Sequence, residues 1–248
     1  MTDCIIRPVV GKATLAEQAY NLIRQRIFEG VYSLGSVVSR REIAEELGMS
    51  MIPVYEALAR LESEYLVQNL PRKGTRVRIP SPEDLRGFFT VREALETHAA
   101  RLFVANATLA QRKHLLKSSR RVDAARRSIT GTNKPEREKV HEWRCLHMGF
   151  HREIAECADL PMLTAAVERN QLLVFNWLYD QSYGNLPLPG DWHEQLALVL
   201  AGKSETAAEQ AMRIHLKTRL DDLLRCLEAI VALDTRRTRR RKALPTRL

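Results

Sequence analysis

The sequence predicts a mostly α-helical protein with one small β hairpin set into an otherwise helical chain. Three observations carry this. Leu, Ala, Glu and Arg dominate the 248 residues and only 6% are aromatic, a composition that favours helix. Helix-start signals recur just ahead of apolar residues at helical spacing. A single segment, about 66–79, carries two short strand-like runs around a Pro-Arg-Lys-Gly turn. With 45% apolar residues the chain can bury a sizeable core in one large or two modest domains.

Each element follows from local chemistry. Thr14-Leu15-Ala16-Glu17 is a capping box, and Ala19, Leu22, Ile23 and Ile27 give the helix behind it one apolar face. That helix runs to about Glu29 and ends at Gly30. Ser39 caps a second helix, with Glu42 three residues on to complete a box. Gly48 supplies the positive φ of a sharp turn. Ser50 caps a third helix reaching about Glu64, where Pro53 is tolerable because it lies in the first turn. Leu66–Leu70 and Thr75–Ile79 read as strands joined by Pro71-Arg72-Lys73-Gly74. Three helices and a basic hairpin make an N-terminal winged helix-turn-helix, whose inserted helix fits a DNA major groove. The spacing points to a DNA-binding protein rather than an enzyme.

Pro80-Ser81-Pro82 marks a boundary: Ser81 caps, Pro82 suits the first helical position, and Glu83 and Asp84 complement the helix dipole. Helices are expected over about 82–104, 108–128, 136–158, 161–182, 191–201 and 204–232, with breaks at 130–133, 183–190 and Gly202. Six helices with short connections predict a C-terminal antiparallel helical bundle. The resulting division is an arm at 1–13, the winged domain at 14–79, a linker at 80–82, the helical domain at 83–232, and a disordered basic tail at 233–248.

The net charge of +9 is unevenly placed: residues 1–80 carry +2, residues 81–232 carry +1 and residues 233–248 carry +6. Arg236, Arg237, Arg239, Arg240, Arg241, Lys242 and Arg247 supply the tail's excess, which suits phosphate attraction or simply a solvated terminus. Cys4, Cys145, Cys157 and Cys226 have neither metal-type nor paired spacing, so a reduced, cytoplasmic setting is expected. No apolar run approaches membrane-spanning length, and the N-terminus lacks the apolar centre of a signal peptide.

The first 80 residues resemble the GntR family of bacterial transcription regulators. The matching stretches are Ile27–Gly35, Arg41–Gly48, Pro53-Val54 with Glu56-Ala57-Leu58, and the Arg72-Lys73-Gly74 wing. The remainder resembles the FCD effector domain of the FadR-type subfamily: it opens with Val91-Arg92-Glu93-Ala94-Leu95-Glu96 and continues with Phe150-His151 and with His193 and His215. The resemblance implies a ligand-responsive, homodimeric regulator acting on operator DNA, more often by repression. Its DNA-contacting positions fall on Arg41, Ser50, Met51, Ile52, Pro53, Tyr55, Arg72, Lys73 and Gly74. The chain departs from the family at two of them: Met51 and Tyr55 stand where arginines are usual. They cannot reproduce bidentate contacts to guanine. Met51, Ile52 and Tyr55 are instead suited to packing on thymine methyls, or Tyr55 to reaching a phosphate.

The same resemblance implies a metal site of one acid and three histidines. Here His147 takes the acid's place, four residues before His151, and His193 and His215 complete a four-histidine set. Neutral imidazoles on converging helices suit a divalent ion, zinc foremost, with nickel or a similar ion also compatible. A small organic acid is the effector expected there, and Arg92 is placed to hold its carboxylate; the competing role for Arg92 is an ion pair with Glu96, four residues on. His98, His114 and His141 lack matching positions, and Trp143, Trp177 and Trp192 are expected as core or interface anchors. Two other readings stay open on the sequence: a metalloenzyme using the histidines with Glu153 or Glu156 as base, and a regulator whose sequence reading has decayed.

Overall fold

The computed structural model describes residues 13–70, 74–130, 136–178 and 190–243. The first helix, α1 (Leu15–Phe28), starts with the expected box: Thr14 accepts from the Glu17 amide, and the Glu17 carboxylate accepts from the Thr14 amide. Gly30, at φ +72°, turns the chain away. Strand β1 (Val37–Val38) leads into α2 (Arg40–Glu46), Gly48 makes the turn at φ +60°, and α3 (Met51–Ser63) follows.

Two capping expectations are corrected. Ser39 accepts from the Glu42 amide at 3.3 Å, but the reciprocal half of the box is not formed. Ser50 occupies the N-cap of α3 without a side-chain cap bond. The reason lies in Pro53, the third helical residue, which has no N–H to offer.

Strands β2 (Val67–Leu70) and β3 (Gly74–Val77) form the hairpin, in register Val67↔Val77 to Leu70↔Gly74. β1 adds to the free edge of β3 through Val37↔Arg76 and Val38↔Thr75, giving the sheet order β1-β3-β2. The sequence reading missed β1 because two residues carry no alternation to detect. Ile23, Ile27, Phe28, Ile43, Val54, Leu58, Leu61, Val67 and Val77 close the core of this half, each side chain contributing about 1.5–3 kcal/mol of burial.

The neck between the two halves is held by polar and aromatic contacts. Ser81 caps α4 (Pro82–Asn106) in a full box with Asp84, and Pro82 takes the first turn. Arg78, just past β3, donates from one nitrogen to both Asp84 oxygens at 2.9 Å. The Arg78 guanidinium also lies 5.0 Å over the ring of Tyr65, which meets Phe88 of α4 edge-on at 5.8 Å. Tyr65 is held at φ +62°, left-handed backbone that an ordinary side chain adopts at a cost of about 1–2 kcal/mol.

The second half contains α5 (Leu109–Ile129), α6 (Arg137–Glu156), α7 (Pro161–Leu178), α8 (Trp192–Leu200) and α9 (Glu205–Ala243). α4 packs along α9, α5 against α6 and α8, and α6 against α7. Arg112 of α5 donates to the carbonyls of Val104, Ala107, Leu200 and Gly202, satisfying the orphan acceptors at the ends of α4 and α8 together. The last helix is longer than expected. It runs to Ala243, so the stretch from 233 expected as disordered is helical to that point; neither Gly nor Pro interrupts the chain between Gly202 and Pro245. Residues 1–12 and 244–248 lie outside the described residues, as do the anticipated break at 183–189 and the wing tip with Arg72 and Lys73. Cys145 is disulfide-bonded, against the expectation of four reduced thiols, whereas Cys157 is free. Spacing along the chain cannot reveal such a pair, because its members meet only in the fold.

Replacing Asp84 by Ala removes both the capping-box carboxylate and the acceptor for Arg78. Urea unfolding is expected to show a loss of about 1–2 kcal/mol with an unchanged slope.

Candidate metal centre and nucleic-acid interface

Three helices deliver the four histidines. His147 and His151 stand one turn apart on α6, His193 lies near the start of α8, and His215 lies on α9. All four are buried, and their candidate ligand atoms lie within 4.8 Å of one another. The rings of His147 and His193 meet edge-on at 4.8 Å, and those of His193 and His215 at 5.1 Å. Phe150 closes the wall, edge-on to His151 and His193. Trp143 is buried beside His147. Trp192 is half-buried and stacks on His215 at 5.3 Å with the planes 20° apart. The side chain of Trp177 lies outside the described residues.

Two carboxylates that the sequence reading did not single out as site residues orient this cluster. Asp123 of α5 lies 2.6 Å from His193 Nδ1 and also accepts from the backbone amides of His193 and Glu194. It therefore caps α8 from another helix, where the local N-cap residue Asp191 makes no side-chain cap bond. Glu96 of α4 lies 2.5 Å from His151 Nδ1 and accepts from Arg92 Nε at 2.5 Å. A carboxylate on Nδ1 fixes the tautomer and leaves Nε2 as the bare ligand atom. His151 Nε2, His193 Nε2 and His215 Nδ1 are buried and have no hydrogen-bond partner among the described residues. Such atoms need an explanation, and a divalent ion fits the donor set. Glu96 had a local sign, its i,i+4 spacing from Arg92; Asp123 had none, being 70 residues from His193.

Burial pushes the imidazole pKa values down. His193 falls to about 4, because burial outweighs the opposing effect of Asp123. His147 and His215 fall well below the usual histidine value through burial and the neighbouring cationic groups. Burial alone would raise Glu96, but Arg92 and His151 overcome it and hold the carboxyl at about 2. The cluster is thus a set of neutral donors with the ionised Glu96 carboxylate behind His151, the state a cation requires.

Arg92 is buried in its ion pair with Glu96, the competing role weighed for it on the sequence. Its charge still bears on the cluster, lowering the pKa of His147, His151 and His215. Glu153 accepts from Ser118 and Glu156 faces Arg152, so both candidate bases have other partners. His98 and His114 are exposed, and His141 meets Phe28 edge-on at 5.6 Å.

At the other end of the molecule, Met51, Ile52 and Tyr55 project from the first turns of α3 and are 53%, 70% and 56% exposed. Ser50 is exposed beside them and Pro53 is half-buried. Arg40 lies 5.7 Å from the centre of the Tyr55 ring, and exposed Arg41 is 3.6 Å from Glu45. Gly74 opens β3 at φ +84°.

The two ends are physically joined. Arg144, one turn before His147 on α6, donates to the carbonyl of Phe28 at the end of α1 and lies 5.5 Å over its ring.

Comparison with known proteins agrees with this two-part organisation. Residues 15–77 match the gntR family of bacterial regulatory proteins, and residues 88–218 match the FCD domain. An HTH-type transcriptional regulator from the TAR-I ttuE-ttuC' intergenic region of Agrobacterium vitis is 35% identical over 151 residues, spanning 60% of this chain and 84% of that one. A probable D-xylose utilization operon transcriptional repressor of Paenarthrobacter nicotinovorans is 28% identical over 206 residues, 82% of this chain and 86% of the relative. Among solved structures, Escherichia coli McbR/YncC superposes with a TM-score of 0.67 at 21% identity, covering 86% of this chain and 98% of that one.

Asp123→Ala removes the cap of α8 and the partner of His193 together. Denaturation is expected to show a loss of about 2–4 kcal/mol, and Asp123→Asn, which keeps an acceptor, a smaller one.

Proposed function

This chain belongs to the GntR family of bacterial regulatory proteins with an FCD domain, and from that premise we propose a homodimeric, cytoplasmic repressor. Its winged domains bind operator DNA, and its helical domain binds a small organic acid at a histidine-held divalent ion. One observation carries the effector half of this reading: four buried histidines from three helices converge, with Nε2 atoms of two of them bare beneath carboxylate-held Nδ1 atoms. DNA binding by the family, and the word repressor among the names of its relatives, support the other half.

His147, His151, His193 and His215 would hold the ion, zinc being the best match to an all-imidazole set. When bound, the ion supplies a Lewis-acidic position for a carboxylate. Four neutral ligands leave its full positive charge uncompensated by the ligands, which favours an anionic effector. Arg92 spends its Nε on Glu96 and keeps the rest of its fork for the same carboxylate. Met51, Ile52 and Tyr55 with Arg41 and Ser50, and the wing residues Arg72, Lys73 and Gly74, would face the DNA.

Communication runs along α6. Its His147 and His151 hold the effector site, and its Arg144 holds the carbonyl end of α1. An effector that binds one setting of α6 better than another shifts the placement of the winged domains.

Two experiments test this. Metal analysis of the purified protein should give about one divalent ion per chain, lost in a His151→Ala, His215→Ala double variant; equal metal in both would overturn the site. Binding to DNA from upstream of the chain's own gene, against scrambled DNA and with small carboxylic acids added, tests the regulator. Arg144→Ala should retain metal and DNA binding while weakening the response of DNA affinity to the acid by about fivefold or more. An undiminished response removes Arg144 from the coupling.

A further inference from the structure

The reading surface of α3 is unusual in what it lacks. From Ser50 to Ala59 no side chain carries a cation or an amide. The next residue, Arg60, is turned away from the first turns of the helix, 3.8 Å over the Tyr20 ring and 3.4 Å from Glu64. Guanine presents two acceptors to the major groove and needs donors to be read. Over the first turns of this helix, from Ser50 to Ala59, the exposed positions offer only the hydroxyls of Ser50 and Tyr55 for that purpose.

What the surface does have is apolar area. Met51, Ile52 and Tyr55 sit at spacings of three and four residues, hence on one face, and each is more than half exposed. Cations lie at the border of that face rather than on it: Arg40 against the Tyr55 ring, and Arg41 loosely paired with Glu45. This arrangement sorts the two tasks of a DNA reader. Peripheral arginines suit phosphates, which position the protein, and the central side chains suit base edges, which specify. The apolar feature that base edges present in the major groove is the C5-methyl of thymine.

We infer that Met51, Ile52 and Tyr55 form a reading face for thymine methyl groups, so that T·A pairs rather than guanines specify the half-site this chain prefers. The inference rests on the DNA-binding reading and names the chemistry of its target. Arg40, by covering one face of the Tyr55 ring, acts as a positioning residue for it.

The test uses the full chain. Duplexes are enriched from a random pool at about 0.15 M salt. The consensus is then resynthesised with deoxyuridine replacing each thymidine in turn, which deletes one methyl, and with 7-deazaguanine replacing each guanine, which deletes one acceptor. The expected result is a loss of about fourfold for each contacted methyl and no loss for 7-deazaguanine inside the half-site. Ile52→Ala, at an exposed position, should weaken the enriched site and abolish the deoxyuridine penalty at one base pair while leaving the others, since contacting partners are non-additive. Penalties from 7-deazaguanine with none from deoxyuridine would overturn the inference and leave the regulator standing. Binding without any enriched sequence would overturn both this inference and the sequence-reading function.

Discussion

A carboxylate taken out of water among helices must be answered by charge or by hydrogen bonds, and two such groups organise this molecule. Glu96 is answered by Arg92 and His151, which ties α4 to α6. Asp123 is answered by an imidazole and two backbone amides, which ties α5 to the start of α8. Leaving either carboxylate alone would cost several kcal/mol. Each bond therefore fixes a helix position and an imidazole orientation in one step. The histidine cluster follows from how the helices are fastened, as much as from which residues they carry.

The same economy appears between the halves. α6 carries both the histidine pair and the arginine that grips the end of α1, so a displacement of one is a displacement of the other. Packed helices move as rigid pieces with few alternative arrangements, which is how a change within one half would reach the other in the proposed regulator. Arg112, by satisfying the ends of α4 and α8 from α5, limits which pieces can move independently.

Much of this was legible in the chain, for reasons that differ by element. Thr14 with Glu17, Ser81 with Pro82, and Gly48 are local signals, and the structure places a cap, a cap and a turn there. The four histidines were found through their family positions, and the fold brings them together. Asp123 stayed hidden because its role is made by a contact 70 residues away, with nothing in its neighbourhood to announce it. Ser50 misled for the opposite reason: the cap residue is right, but the proline three positions on withholds the donor. The end of α9 departs from the expected disorder because arginine and lysine are good helix formers and no breaker intervenes, so dense charge alone does not stop the helix. The cysteines carry no spacing signal, so the pairing of Cys145 is visible only in the fold.

Tyr65 carries a wider consequence. A glycine there would relax the left-handed backbone, yet the chain keeps a tyrosine whose ring is held between Arg78 and Phe88 at the neck. The strain is offset by stiffness. In a two-headed reader the distance between recognition helices must match about one helical turn of DNA, or a multiple of it, between half-site centres. A pliant neck would accept many separations and so tell apart few of them. In the proposed dimer the neck of this protein would act as a ruler, and the spacing of half-sites would become information read without touching a base.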